Sequence, residues 1–153
     1  MNKLTVQIKK LHKDVQTPFY ASSGSAGFDL RAFFFDTDSV TIPAGERAKI
    51  TTGIQMVLPE GYELQIRPRS GLAFKYGISL TNTPGTIDCD YRGEIQILMI
   101  NHGKEDFTIE QGDRIAQAVL APIYQAEFLE ISELPEEADN TRLAAGFGSS
   151  GIK

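Results

Sequence analysis

The residues best suited to chemistry are concentrated in one short segment, residues 82–93, which reads NTPGTIDCDYRG. Its Pro-Gly pair predicts a tight turn, and such a turn exposes backbone amides and carbonyls that could read the edge of a flat heterocycle. Asp88 beside such a pocket could orient or deprotonate a water molecule. Tyr91 offers a ring against which a sugar could pack. The alternative is an ordinary hairpin with a solvated Arg92.

A second segment, residues 67–72, reads RPRSGL and follows a strand-like run. Arg69, Ser70 and Gly71 suit a di- or triphosphate, because guanidinium groups and the backbone amides at a helix start both bind oxyanions. The sequence contains neither the P-loop pattern nor the Rossmann Gly-x-Gly-x-x-Gly pattern. The alternative is an N-capping serine flanked by surface arginines.

Two further segments carry polar side chains that have two interpretations each. Asp29 and Arg31 alternate in residues 26–32, which an edge strand with an ion pair would also explain. Gln117 follows a turn in residues 112–117 and could bond either a phosphate or a neighbouring strand.

The segment 142–151 reads RLAAGFGSSG and combines one aromatic ring, two hydroxyls and a cation. Phe147 between glycines suggests a face that stacks on a ligand, while Arg142, Ser149 and Ser150 could meet oxyanions. These properties indicate a lid over a nucleotide. A linker remnant or a packed terminus is the alternative.

The elements that must position these residues are short β-strands, because alternation of apolar and polar residues dominates the chain. Strand-like runs cover residues 4–9, 28–35, 39–42, 49–58, 62–67, 78–82, 94–101, 107–110, 115–122 and 124–131. Only residues 70–76 could form a short helix. This pattern predicts an all-β sandwich or barrel. We expect one β domain over residues 1–132, with residues 133–153 as its extended, mobile C-terminal arm.

The amino-acid composition limits which binding partners and which cellular compartment we expect. The chain has 153 residues, 41% of them hydrophobic and 23% charged, as in an ordinary globular domain. A net charge of −5 argues against stable nucleic-acid binding, which needs a basic surface. No segment approaches the length of a membrane span, so no membrane partner is expected. A single cysteine, Cys89, fits a reducing compartment, and we expect a cytoplasmic protein.

Taken together, five segments in this order resemble the five motifs of the trimeric dUTP diphosphatases (dUTPases). The corresponding residues are 26–32, 68–72, 85–93, 112–117 and 142–151. The resemblance implies a distorted jelly-roll-like β domain that forms a homotrimer with shared active sites. It also implies hydrolysis of dUTP to dUMP and diphosphate, which lowers dUTP and supplies dUMP for dTMP synthesis, with Mg²⁺ as the cofactor.

The resemblance assigns the reacting and base-reading roles as follows. Asp88 would hold and activate the water that attacks the α-phosphorus. Tyr91 would pack under deoxyribose and leave no room for a ribose 2′-hydroxyl. The residues that would read uracil are Asn82, the backbone at Thr86, Ile87 and Asp88, and Gln96.

The resemblance also assigns the phosphate contacts. The phosphates would be held by Arg69, Ser70, Gly71 and Gln117. The γ end would be gripped by Arg142, Ser149 and Ser150, with Phe147 stacking on uracil beside Gly148. Mg²⁺ would lie on the phosphates without a direct protein ligand, and Asp29 would act through water on the metal or by fixing the site.

The fifth motif departs from the family pattern, because Leu143–Ala145 stand where glycines are usual. Their β-carbons restrict the arm, so arm closure is the property most affected. Two alternatives to an active dUTPase remain on the sequence alone. One is a dCTP deaminase or a bifunctional deaminase–dUTPase of the same fold, and the other is a non-catalytic nucleotide-sensing protein.

Overall fold

A computed structural model describes residues 3–134, and within them the fold consists of β-strands and one short helix. The helix α1 covers Ser70–Tyr76, as the sequence predicts. In chain order the strands are β1 (Gln7–Lys10), β2 (Phe28–Arg31), β3 (Ser39–Ile42), β4 (Arg47–Thr51), β5 (Ile54–Val57), β6 (Tyr62–Arg67), β7 (Ile78–Leu80), β8 (Gly85–Ile87), β9 (Gln96–Asn101), β10 (Phe107–Glu110) and β11 (Arg114–Pro122). The prediction of an all-β, jelly-roll-like fold is confirmed.

The strands form four small antiparallel sheets, and none of them closes into a barrel within residues 3–134. The largest sheet has the order β2-β11-β6-β8, and a three-stranded sheet has the order β4-β9-β7. The pairs β1-β5 and β10-β3 complete the set. Alternation along β6 explains the layering, since Leu64 and Ile66 are buried while Gln65 lies between them on the other face.

A continuous aliphatic core holds the sheets together. Many of its members are almost inaccessible to solvent; the largest apolar ones are Leu30, Ile42, Ile50, Leu64, Ile78, Ile95, Ile97, Met99, Ile109 and Ile115. Branched aliphatic side chains are the residues that pack best on a pleated surface. Within the same described range the only helix has seven residues, too few to cross a membrane.

The run 49–58, predicted as one strand, is two strands separated at Thr52 and Gly53. Gly53 has a φ of +68°, which a glycine adopts without strain. A β-carbon at this position would lie 2.5 Å from Cγ2 of the buried Val15. The prediction was wrong here because alternation in the sequence does not reveal a single left-handed residue.

The run 124–131, also predicted as a strand, has no strand partner in the structure. The chain leaves the sheet after Pro122, and its large apolar side chains face outward, with Tyr124 99% and Phe128 93% exposed. The predicted start of the arm at residue 133 lies beside the end of the described residues, so that boundary stays a prediction.

Helix α1 ends where two glycines allow two backbone segments to touch. Gly77 is the C-cap with a φ of +71°, and its N–H donates to the carbonyl of Ala73. A β-carbon on Gly77 would lie 2.7 Å from the backbone nitrogen of Gly103. The reciprocal β-carbon on Gly103 would lie 2.5 Å from the carbonyl oxygen of Tyr76. The close approach therefore fixes how α1 joins β7.

Replacing Gly77 with alanine should destabilise the fold. The left-handed conformation and the backbone overlap together should lower the free energy of unfolding by about 2 kcal/mol or more. Urea unfolding at one fixed protein concentration measures this change. Gly24→Ala is the matched control, because a β-carbon at Gly24 meets nothing within 4 Å. Equal stability of the two variants would contradict the role given to the Gly77–Gly103 contact.

Candidate functional site

The first group of predicted site residues meets around the carboxylate of Asp29 on β2. Its Oδ1 lies 3.0 Å from Nε of Arg69, and its Oδ2 lies 3.2 Å from Nη1 of Arg114. Nη1 of Arg69 also donates to the carbonyl oxygen of Arg114 at 2.9 Å. Asp29, Arg69, Arg114 and the nearby Gln117 are called the Asp29 cluster below. Each arginine is thereby held in one orientation by a partly buried carboxylate.

Gln117 connects this cluster to the turn that precedes α1. In the largest sheet Gln117 on β11 pairs with Asp29 on one side and with Arg67 on the other. Its Nε2 donates to the carbonyl oxygen of Pro68 at 2.9 Å. The register of three strands therefore brings the segments that resemble the first, second and fourth motifs to one place.

The alternative interpretations of these segments are supported only in that β2 is an edge strand; neither an Asp29–Arg31 ion pair nor a serine N-cap is found within residues 3–134. Arg31 donates to the carbonyl of Gly112 at 2.7 Å, whereas Asp29 pairs with the two distant arginines. The N-cap of α1 is Arg69, with φ −92° and ψ 127°, and Ser70 is the first helical residue. Ser70 and Gly71 are both exposed beside the Asp29 cluster.

The second group of predicted site residues lies on β8 and the turn that follows it. β8 is the last strand of its sheet, so its outer edge carries backbone groups that the sheet does not use. Thr86 on this strand is exposed and Ile87 is half-buried. A β-carbon on Gly85 would lie 3.2 Å from the amide nitrogen of Asn82, so the Asn82 side chain lies over the start of the strand.

Asp88 and Tyr91 occupy the turn itself. Asp88 is exposed, and its carbonyl accepts a hydrogen bond from the backbone N–H of Tyr91 at 3.2 Å. The Tyr91 hydroxyl donates to the carbonyl oxygen of Glu94 at 3.0 Å, and 42% of the residue remains exposed. A β-carbon on Gly93 would overlap the hydroxyl end of the Tyr91 ring, so the ring approaches the backbone of the glycine closely. The turn therefore presents a carboxylate and a fixed aromatic face together.

The Glu94 side chain connects this turn to Thr52 and Gly53, the two residues that form the corner between β4 and β5. Its Oε1 accepts hydrogen bonds from the backbone N–H groups of Gly53 at 2.7 Å and Thr52 at 3.2 Å. Its Oε2 lies 3.4 Å from the side-chain nitrogen of Gln96. Gln96, predicted to read uracil, thus has its amide directed at Glu94.

The two groups lie far apart within one chain. Ile87 pairs with Leu64 near the start of β6, whereas Gln117 pairs with Arg67 at its end. Asp88 is therefore about four residues along the strand direction and three strands across from Asp29, which amounts to roughly 20 Å. Within one chain the two groups therefore form separate surfaces at opposite edges of the same sheet.

Some predictions concern residues that the structure does not describe. Arg142, Phe147, Gly148, Ser149 and Ser150, and the unusual residues 143–145, all lie outside residues 3–134. Among the described residues no group of three or more His, Cys, Asp or Glu side chains is arranged to hold a metal ion.

Two contributors to the site were not singled out from the sequence. Arg114 was not chosen because nothing in its local segment shows that it shares a carboxylate with Arg69. Glu94 has backbone partners that are 41 and 42 residues away. Spacing in sequence carries no signal for contacts of that range.

Comparisons with known proteins show the family of the chain. The dUTPase family model matches residues 13–151. A deoxyuridine 5'-triphosphate nucleotidohydrolase from Nautilia profundicola is 52% identical over 148 residues, which is 97% of this chain and 99% of the relative.

Solved structures give the same result for the fold. A variant of the Staphylococcus bacteriophage 80alpha dUTPase, solved with dUpNHpp, has a TM-score of 0.85 and 26% identity over 98% of this chain and 100% of the phage chain. A variant of the dUTPase from phage phi11 of S. aureus, described for its coordination of a structural Mg(II) ion, has a TM-score of 0.77 and 24% identity over 87% of this chain and 100% of the phage chain. The match across nearly the whole length establishes that the chain belongs to the dUTPase family and hydrolyses deoxyuridine 5'-triphosphate.

Proposed function

We propose that each active site forms between chains of a homotrimer, with the Asp88 turn of one chain facing the Asp29 cluster of the next. The observation that carries this proposal is the separation of the two groups within one chain. A closed ring of three copies related by a three-fold axis would bring the two surfaces together three times. The arm with Arg142 and Phe147 would then close each site.

Asp88 is the general base in this proposal. Its exposed carboxylate follows an edge strand and is free to orient a water molecule towards the α-phosphorus. The water oxygen bonds to that phosphorus, the bond to the bridging oxygen of the β-phosphate breaks, and diphosphate leaves. Asp88 takes the proton of the water, and such general-base assistance contributes roughly 10²- to 10⁴-fold to the rate.

The Asp29 cluster binds the phosphates. The triphosphate brings a charge of about −4 to a protein that is itself acidic, so a local set of fixed donors is required. Arg69 is already oriented by Asp29 before the substrate arrives. Ser70, Gly71 and the second amide hydrogen of Gln117 add neutral donors beside it.

Uracil and deoxyribose bind at the turn. The free edge of β8 supplies backbone donors and acceptors at Thr86–Asp88, and the Asn82 side chain lies beside them. Tyr91 packs against the sugar, where a 2′-hydroxyl would collide with the ring. Gln96 contributes at the margin of this pocket through its contact with Glu94.

Mg²⁺ enters as part of the substrate, a magnesium complex of dUTP. Phosphate oxygens and waters are the hard ligands that Mg²⁺ prefers, and the metal neutralises part of the phosphate charge. Both carboxylate oxygens of Asp29 lie within 3.2 Å of guanidinium nitrogens, which favours a role in fixing the arginines over a role towards the metal. The structural Mg(II) ion of the phi11 enzyme supports magnesium as the metal.

Glu94 also bears on the deaminase alternative. A deaminase of this fold would need a carboxylate beyond the turn that is free for proton transfer. Glu94 instead accepts hydrogen bonds from two backbone N–H groups. The structure therefore favours diphosphate release over deamination.

Asp88→Asn should remove most turnover while nucleotide binding is kept, because the amide cannot accept the proton of the water. We expect kcat to fall by about 10²- to 10⁴-fold, measured as diphosphate released from dUTP with Mg²⁺. Asp90→Asn is the matched control, since it makes the same change of charge two residues away at an exposed position. Equal turnover of the Asp88 variant and the wild type would refute the general base.

Two inactive variants should restore each other if the site is shared between chains. Coexpressed Asp88→Asn and Arg69→Ala chains form mixed trimers in which about a quarter of the sites combine an intact Asp88 with an intact Arg69. We therefore expect up to about a quarter of wild-type activity, with native mass spectrometry to confirm mixed trimers. Each variant expressed alone is the control. Mixed trimers without recovered activity would indicate a site within one chain.

A further inference from the structure

We propose that Glu94 is a positioning residue that sets the preference for deoxyribose over ribose. Its carboxylate holds the β4–β5 corner, and its own carbonyl holds the Tyr91 hydroxyl. The inference deepens the proposed function and rests on the role given there to Tyr91.

The corner is a rigid anchor. Gly53 adopts its left-handed conformation against Val15 and Phe33, where a β-carbon would lie 2.5 Å and 3.2 Å from their side chains. The Gly53 carbonyl accepts a hydrogen bond from the N–H of Leu11 at 2.8 Å. Thr52 is buried, and its hydroxyl donates to the carbonyl of Ile95 at 2.6 Å. The backbone N–H groups that face Glu94 therefore belong to a segment fixed from several sides.

Glu94 connects this corner to the turn, because its side chain bonds the corner and its carbonyl bonds Tyr91. Charged acceptors form stronger hydrogen bonds than neutral ones, and a single oxygen of Glu94 collects both corner N–H groups. The residue whose side chain is fixed in this way also provides the carbonyl that accepts from Tyr91. A shift of the Glu94 backbone would therefore move the phenol.

The bond to Glu94 is the one side-chain hydrogen bond that Tyr91 makes within residues 3–134. The residue is 42% exposed, and its ring also lies close to Gly93. Exclusion of a 2′-hydroxyl depends on a ring that cannot retreat, because a hydroxyl adds only a small volume. Displacements of about 1 Å can change catalytic rates by as much as 10²-fold. The anchor of the ring thus becomes a determinant of sugar selectivity.

Glu94→Ala should raise the KM for dUTP and lower the ratio of kcat/KM for dUTP to that for UTP by roughly tenfold, with a smaller change in kcat. Glu94→Gln should restore most of that ratio, since its amide oxygen can still accept from Gly53 and Thr52. Asp106→Ala is the matched control. The Asp106 side chain also accepts a hydrogen bond from a backbone N–H group, that of Ala44, at an exposed position next to a different sheet. An Ala variant with the wild-type ratio, or a Gln variant as impaired as the Ala variant, would overturn the proposal.

Tyr91→Phe tests the same link if the Glu94→Ala variant fails to fold, because this substitution removes only the hydroxyl bond to Glu94. It should lower the dUTP-over-UTP ratio in the same direction, and the double variant with Glu94→Ala should lose no more than Glu94→Ala alone. An unchanged ratio for Tyr91→Phe, or additive losses, would contradict the link between Glu94 and Tyr91.

Tyr91→Ala distinguishes a failure of the sugar-packing role of Tyr91 from a failure of the positioning role of Glu94. If it leaves the ratio unchanged, the sugar-packing role in the proposed function is wrong. If it collapses the ratio while Glu94→Ala does not, only the role of Glu94 is wrong.

Discussion

The pairing of one carboxylate with two guanidinium groups is the interaction on which the proposed phosphate site depends. Asp29 joins Arg69, forty residues later, to Arg114, eighty-five residues later, and these belong to three different elements. Without the carboxylate the two cations would repel each other and their long side chains would sample many rotamers. With it, Arg69 is oriented before any anion arrives, which is the condition for strong electrostatic stabilisation. Because the net charge is −5, binding of an anion would rest on local cations such as these rather than on the overall field of the protein.

Much of the fold follows from local patterns in the sequence. The strands Ser39–Ile42 and Phe107–Glu110 and the helix Ser70–Tyr76 have the predicted bounds, because alternation and turn residues agree there. The predictions of one strand over residues 49–58 and of another over residues 124–131 were wrong for the same reason. Alternation reports which face of a strand would be buried, but it reports neither a conformational break such as Gly53 nor the absence of a partner, as after Pro122. The three-residue strand Gly85–Ile87 is too short to show any period.

The candidate site likewise contains residues that local sequence motifs indicate and residues that only long-range contacts reveal. Asp88, Tyr91 and Arg69 could be selected because their segments resemble family motifs, and the resemblance to a dUTPase is confirmed. Arg114 and Glu94 gain their roles only from contacts across the sheets. Asp29 illustrates the difference well. Its neighbour Arg31 is the natural partner in the sequence, yet Arg31 bonds a backbone carbonyl while Asp29 takes two arginines from elsewhere.

The free edge of β8 has a consequence for solubility. An exposed strand edge can recruit the strand of another molecule and begin an aggregate, so proteins keep such edges short or charged. Gly85–Ile87 spans only about 10 Å, enough for the width of one base but too little for a stable intermolecular ladder. Asp88 and the Asp90 that follows place negative charge directly at its end. The shortness of β8 thus makes this edge a poor template for cross-β self-association, even though its backbone groups stay free for the proposed contact with a nucleobase.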